Sequence, residues 1–152
     1  MGDLGLVAVR NEDDLEEVRV LLLEYAASLA IPLDFQNFDR ELAELPGAYA
    51  PPRGVVLLAR GLGCVALRPF DDTTCELKRL YVRPRARGSG LGRALVEEVI
   101  AEARRLQYAR MRLDTLPTMV AAQALYEQLG FHEIAAYTSN PVAGARFLEL
   151  EL

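Results

Sequence analysis

The stretch Arg87-Gly88-Ser89-Gly90-Leu91-Gly92-Arg93-Ala94-Leu95 follows directly on the apolar-ended run Leu77-Lys78-Arg79-Leu80-Tyr81-Val82, and its reading decides the fold. Glycines let a backbone turn tightly and let a ligand approach the main chain with no Cβ in the way. The first turn of a helix leaves amide N–H groups unpaired at the positive end of its dipole. A glycine turn that feeds a helix is therefore an anion site, and phosphate is its usual occupant. Outside this turn the chain is ordinary: 51% hydrophobic and 26% charged over 152 residues, enough for a single domain, 1–152, with a core that needs no disulfide or metal.

The turn excludes two common phosphate binders. A nucleotide-triphosphate loop needs G-x-x-x-x-G-K-[ST], but Arg93 and Ala94 follow the last glycine. A dinucleotide fingerprint needs G-x-G-x-x-G at the first βα turn; here Arg93 occupies the third glycine position, and the turn lies past mid-chain. Charge supports a phosphorylated ligand. Lys78, Arg79, Arg83, Arg85, Arg87 and Arg93 lie between residues 78 and 93 with no acid among them. Residues 11–50 carry an excess of acid, and the net charge of −5 speaks against nucleic acid as a partner. No apolar run approaches a membrane span and no secretory leader is apparent, so a cytoplasmic protein is expected. Cys64 and Cys75 lack metal-ligand spacing and His132 is the sole histidine, so no metal is expected and the cysteines read as buried hydrophobes.

Periodicity and punctuation predict the remaining elements. A strand over Leu4 to Arg10 precedes a helix capped by Asn11, acidic in its first turn and running to Ala30 before Pro32. A shorter helix fits Asp34 to Leu45. Gly54–Arg60 and Gly63–Arg68 read as a hairpin about Gly61, and Thr74–Val82 as the next strand. The helix after the glycine turn buries Leu95, Val96, Val99, Ile100, Ala103 and Leu106. A strand over Ala109–Thr115, a helix over Thr118–Leu129 ended by Gly130, and strands over Phe131–Tyr137 and Arg146–Leu152 complete the chain. The expected fold is α/β of the α+β type, in the order β-α-α-β-β-β-α-β-α-β-β, with a mixed sheet of about seven strands covered by helices on both faces.

Arg87-x-x-Gly90-x-Gly92 after a strand resembles the pyrophosphate loop of the GNAT superfamily of acyl-CoA-dependent N-acyltransferases. Leu125-Tyr126-x-x-Leu129-Gly130-Phe131 resembles that family's L-Y-x-x-x-G-F, and Glu76 to Val82 resembles its fourth strand with an acid near the start. The resemblance covers residues 4–152 and implies a mostly antiparallel central sheet with acetyl-CoA as cosubstrate. It implies cofactor contacts at Leu80, Tyr81 and Val82 and at Arg87, Gly88, Ser89, Gly90, Leu91, Gly92 and Arg93. It further implies that an amine attacks the thioester directly, with Glu76 as general base and Tyr126 as acid toward the thiolate. A Glu near ~4.3 is a weak base for an amine near ~10.4, so relay through water or a raised pKa is expected. The competing readings are an ion pair of Glu76 with a neighbouring strand's arginine, such as Arg68, and packing of Tyr126 on Ala122, Leu125 and Leu129.

One position departs from the family pattern. Where many members carry a pantetheine-binding asparagine, seven residues before the tyrosine, Met119 stands; it offers apolar contact, with Thr118 beside it. For the acceptor, the resemblance implies a groove built from the 34–44 segment with Phe35, Phe38 and Tyr49, and from the turn Tyr137-Thr138-Ser139-Asn140-Pro141. Carboxylates there favour a small cationic amine or a peptide amine, unless Asp39, Glu41 and Glu44 are simply the wet side of a helix. The partners expected are thus a small-molecule amine or peptide, with no nucleic acid or membrane, and a monomer or homodimer. A non-catalytic acyl-CoA sensor is the alternative function.

Overall fold

In strands β2 (Val55–Ala59), β3 (Gly63–Pro69) and β4 (Thr74–Val82), most residues of both faces are buried, apolar throughout β2 and nearly so in β3, with Thr74, Glu76, Lys78 and Arg79 as buried polar residues of β4, the signature of strands covered on both sides. The computed structural model, which describes residues 5–29 and 37–152, provides both covers. Val55, Leu57 and Ala59 point toward α3 (Leu91–Arg105) and α4 (Val120–Gln128). Val56 and Leu58 point toward α1 (Glu12–Ser28) and α2 (Phe38–Glu44), where Val18, Leu21, Leu22 and Phe38 pack. With β1 (Leu6–Ala8), β5 (Arg110–Thr115), β6 (His132–Ile134) and β7 (Arg146–Glu151), the described strands form one seven-stranded sheet in the order β1-β2-β3-β4-β5-β7-β6. All neighbours are antiparallel except β4 and β5. This is the fold class and element order expected from the sequence.

Local signals act where they were read. Asn11 caps α1, its side chain accepting from the Asp14 N–H at 2.8 Å, with Glu12, Asp13 and Asp14 in the first turn. Asp14 is itself buried and accepts two hydrogen bonds from Arg60 at 3.0 Å, tying the start of α1 to the end of β2. The cysteines lie in opposite cores, Cys64 under α1 and Cys75 under α3, and burial pushes both thiols up to about 12. No helix among the described residues is long and apolar enough to cross a membrane.

The differences from the sequence reading fall at edges. β6 ends at Ile134, not Tyr137, because its ladder with β7 stops at Phe147 while Tyr137 turns away to pack edge-on against Phe147 and Phe70. Short 3-10 turns at Gly47–Tyr49 and Pro84–Ala86 occupy stretches that the sequence assigned to no helix or strand. Leu4, Ala30, Asp34 and Phe35, which the sequence assigned to elements or to the acceptor groove, lie outside the described residues.

Gly63, paired with Val82, shows how closely β3 and β4 approach: a Cβ there would lie 2.5 Å from the carbonyl oxygen of Tyr81. Gly63→Ala must therefore push two backbones apart, and should lower stability by roughly 1–3 kcal/mol, the usual range for overpacking. Urea unfolding should show a reduced midpoint at unchanged slope. An unchanged midpoint would mean that the strands can spread there freely.

Candidate active site

β4 pairs with β5 only through Thr74, Cys75 and Glu76, opposite Arg110, Met111 and Arg112. Beyond Glu76 the two strands part. The cause lies on the other edge of β4, where Cys64 faces Tyr81 and Ala66 faces Lys78, so that Val65 alone stands opposite Arg79 and Leu80. Two residues against one is a β-bulge, which bends its strand and increases its twist. Arg79 sits in the left-handed region at φ 63, a conformation unusual for a side chain of its size. Its guanidinium donates to both Glu41 oxygens, Nε at 2.8 Å and a terminal nitrogen at 2.9 Å, and lies over the Phe38 ring at 5.2 Å. α2 thus holds the bulge.

Three spaces adjoin along the parting and share wall residues. The first, of about 480 Å³, is bounded by Leu80, Tyr81 and Val82 of β4, by Arg87, Gly88 and Gly92, by Tyr25, Ser28 and Leu29 of α1, and by Thr118 to Ala122 with Leu125. Along this wall the N–H groups of Gly88 through Arg93 form no hydrogen bond among the described residues; helical pairing begins with the Ala94 N–H on the Gly90 carbonyl at 3.0 Å. Gly88 (φ 80) and Gly90 (φ 89) adopt left-handed conformations, and Gly88 and Gly92 line the space. The wall is a continuous row of donors at the N-terminus of α3, suited to a pyrophosphate.

The second space is the narrow cleft between the parted strands, about 50 Å³, where Leu77 to Leu80 face Leu113 to Leu116. Tyr126 and Met119 line it. The Tyr126 hydroxyl makes no hydrogen bond among the described residues; burial, together with the charge of nearby Asp114, raises its pKa and keeps it protonated. The ring also packs against Phe131, so Tyr126 both belongs to the core and lines the cleft. Met119 lines the first space as well.

The third space, about 450 Å³, lies on the far side of the bulge and is lined by Arg68, Glu76, Lys78, Arg79 and Asp114 with Phe70, Thr138 and Ser139. Glu76 is buried. Its Oε1 accepts from Arg68 Nε at 2.8 Å and its Oε2 from the Tyr137 hydroxyl at 2.7 Å. The ion pair with Arg68 is therefore real, and it holds the carboxylate at the cavity wall. Lys78 Nζ lies 3.3 Å from Asp114 Oδ1, and Asn140 Nδ2 donates to Asp114 Oδ2 at 3.0 Å. Burial pulls the Lys78 pKa down and Asp114 opposes it.

The run of bases between residues 78 and 93 is not one phosphate-binding island. Arg79 is held by Glu41, Arg83 by both oxygens of Glu24, Arg93 by Gln128 and Glu97, and Arg85 by the Gly61 carbonyl. Lys78 faces the third space, leaving Arg87 as the base of this run that lines the first. Leu91 is buried in the core, so it can offer a ligand only its amide, and the Ser89 hydroxyl is engaged by the Ala86 carbonyl. Of the expected groove residues, Phe38 is buried under Arg79, and Tyr49 borders a separate hollow of about 280 Å³ beside Glu41. Glu44 pairs with Arg40. His132 is exposed on β6, 4.0 Å from Glu149 and remote from these spaces. The sequence reading did not identify Tyr25, Lys78 and Asp114 as site residues. Asp114, an acid on the alternating strand Arg110–Thr115, carried the one usable signal.

The Acetyltransferase (GNAT) family model matches residues 20–131. The chain belongs to the GNAT family and is an acyltransferase. It is 41% identical to an uncharacterized N-acetyltransferase of Schizosaccharomyces pombe across 99% of this chain and 96% of that one. It is 36% identical to the N-acetylaspartate synthetase of Rattus norvegicus across 77% of this chain but 42% of that one. A crystal structure of an acetyltransferase from Streptococcus agalactiae superposes with a TM-score of 0.78 at 25% identity, covering 97% of each chain. Members of the GNAT family use acetyl-CoA, and the row of free amides bordering the first space meets the need of its pyrophosphate.

Acetyl-CoA should accordingly stabilise the protein by ~2.7 kcal/mol at 100 times its dissociation constant. A Cβ at Gly92 would make only ordinary contacts, 3.8 Å to Val82 and 3.9 Å to Leu125, yet it would stand in the cavity wall. Gly92→Ala should thus fold normally and weaken acetyl-CoA binding by about tenfold, ~1.4 kcal/mol by calorimetric titration. Undiminished affinity would place the phosphates elsewhere.

Proposed function

We propose that this GNAT protein transfers the acetyl group of acetyl-CoA to a primary amine by direct attack. The observation that carries the reading is that the three spaces adjoin and share wall residues: unpaired amides for the pyrophosphate, a slot between parted strands for the thioester, and a polar cavity beside it for the acceptor. The amine nitrogen bonds to the carbonyl carbon, the C–S bond breaks, the nitrogen loses a proton and the CoA thiolate gains one. The carbonyl is polarised by those main-chain N–H groups within Leu80 to Val82 that face the edge of β4 left without a partner strand beyond Glu76; preorganised donors of this kind contribute about 10²–10³ in rate each.

Glu76 takes the amine proton through a water. Each of its oxygens already accepts one hydrogen bond, and each keeps a lone pair for a water at the cavity wall. Arg68 and Tyr137 hold its two oxygens in place, so it acts as a positioned carboxylate. Tyr126 supplies the proton to sulfur. Its pKa, raised by burial, keeps the phenol protonated until the thiolate forms, and no other acceptor among the described residues competes for that proton. The acceptor of the rat relative is, by that protein's name, aspartate, which supports a small-molecule amine here. The free, buried thiols of Cys64 and Cys75 suit a reducing compartment, the cytoplasm.

Glu76→Gln keeps the shape and can still accept from Arg68 while its amide donates to the Tyr137 oxygen. It should lower kcat by about 10²–10⁴ near neutral pH and be partly rescued at high pH, where more amine is neutral. Tyr126→Phe should cost less and respond poorly to pH, since the lost group is a donor. Both variants should bind acetyl-CoA like the parent. Full activity of Glu76→Gln from pH 6 to 10 would remove Glu76 from the proton path.

A further inference from the structure

The cavity beyond the cleft holds charges of both signs in a fixed order across the sheet. Arg68 projects from β3, Glu76 and Lys78 from β4, and Asp114 from β5. Neighbouring strands lie ~4.8 Å apart, so this row spans roughly the length of a small zwitterion with its side chain. The cations differ in what they have left to offer. Arg79 is fully engaged with Glu41. Arg68 uses only Nε, for Glu76, and its two terminal nitrogens form no hydrogen bond among the described residues although the side chain is 33% exposed at the cavity. Two free parallel donors on a planar fork match a carboxylate. Lys78 adds an ammonium with three donors, one of them directed at Asp114.

The other end of the row faces the chemistry. Lys78, Arg79 and Asp114 line both this cavity and the cleft with Tyr126, so an acceptor's nitrogen reaches the thioester past Asp114. Of the acids in the described part of the 34–44 segment, Glu41 turns inward to Arg79 and Glu44 pairs with Arg40. A polyamine entering here would meet Arg68 and Lys78 with nothing to offer them.

We propose that the acceptor is a free amino acid, held by its own carboxylate on the terminal nitrogens of Arg68 and on Lys78, with its amine directed past Asp114 into the cleft. Arg68 is then a substrate-binding residue that sets specificity, while its Nε keeps Glu76 in place. This assignment rests on the acetyltransferase reading above and goes beyond it in naming the substrate class.

The test measures CoA release by the intact protein with the twenty amino acids, their carboxamides, spermidine and a tripeptide with a free N-terminus. The best amino acid should exceed its own carboxamide in kcat/KM by at least about 10²-fold, because the carboxamide leaves a charged fork unpaired. Arg68→Lys, which keeps the charge and loses the fork, should raise KM for that amino acid by about tenfold or more, leave KM for acetyl-CoA unchanged, and shrink the acid-to-amide ratio. Equal rates for acid and amide, or preference for spermidine or the tripeptide, would overturn the proposal while leaving the transferase reading standing. So would acetyl-CoA binding with no amino acid acetylated. Failure to bind acetyl-CoA at all would overturn both.

Discussion

The parting of β4 from β5 after Glu76 is the constraint on which the rest of the molecule depends. A continuous ladder there would satisfy the backbone of Leu77 to Val82 and leave no slot for a thioester. The ladder is interrupted because Arg79 occupies a left-handed conformation, which costs an ordinary side chain about 1–2 kcal/mol. The buried pairing with Glu41 and the cover of Phe38 offset that cost. Since Glu41 belongs to α2, a helix of only seven residues acts as the brace that keeps the cleft open. Gly63 completes the arrangement by letting β3 approach Tyr81 where a side chain would not fit.

On the proposed reading, the cofactor and acceptor sides are recognised by different arrangements of charge. On the cofactor side the nearby arginines are mostly occupied by carboxylates or carbonyls, and the anion site is made of backbone amides at a helix N-terminus. Fixed dipoles of that kind lose no side-chain entropy on binding and hold a pyrophosphate in one orientation. On the acceptor side the charges belong to side chains and come as pairs, Arg68 with Glu76 and Lys78 with Asp114, each leaving donors or lone pairs free. Charges paired in this way tolerate burial, and a zwitterionic guest can satisfy what remains of both signs.

On the proposed mechanism, a structural and a chemical role coincide in Glu76. The pairing with Arg68 competes with a catalytic reading in the sequence, yet in the structure it is what holds the carboxylate at the cavity wall. The Tyr137 hydroxyl fixes its second oxygen, and that tyrosine is in turn wedged between Phe70 and Phe147. Positioning of a reacting group by packed aromatics and hydrogen bonds is the usual means of keeping geometry within a fraction of an ångström.

Much of this protein is determined by sequence alone because it depends on local sterics and short periods. The element order, the Asn11 cap, the stripe of α3, the glycine turn and the placement of Tyr126 all follow from backbone preferences and from the face that must be buried. What only the tertiary structure decided is the use of each charge. The cluster between residues 78 and 93 looks like one cationic island in the sequence, but a strand alternates its side chains between faces, and the bulge at Arg79 shifts that alternation. Lys78 therefore serves the acceptor cavity and Arg79 the brace. Glu41 with Arg79, Glu76 with Tyr137 and Lys78 with Asp114 are separated by 38, 61 and 36 residues, and only the neighbouring of strands brings them together. Ion pairing depends on distance in space and on burial, neither of which is written in the spacing of residues along a chain.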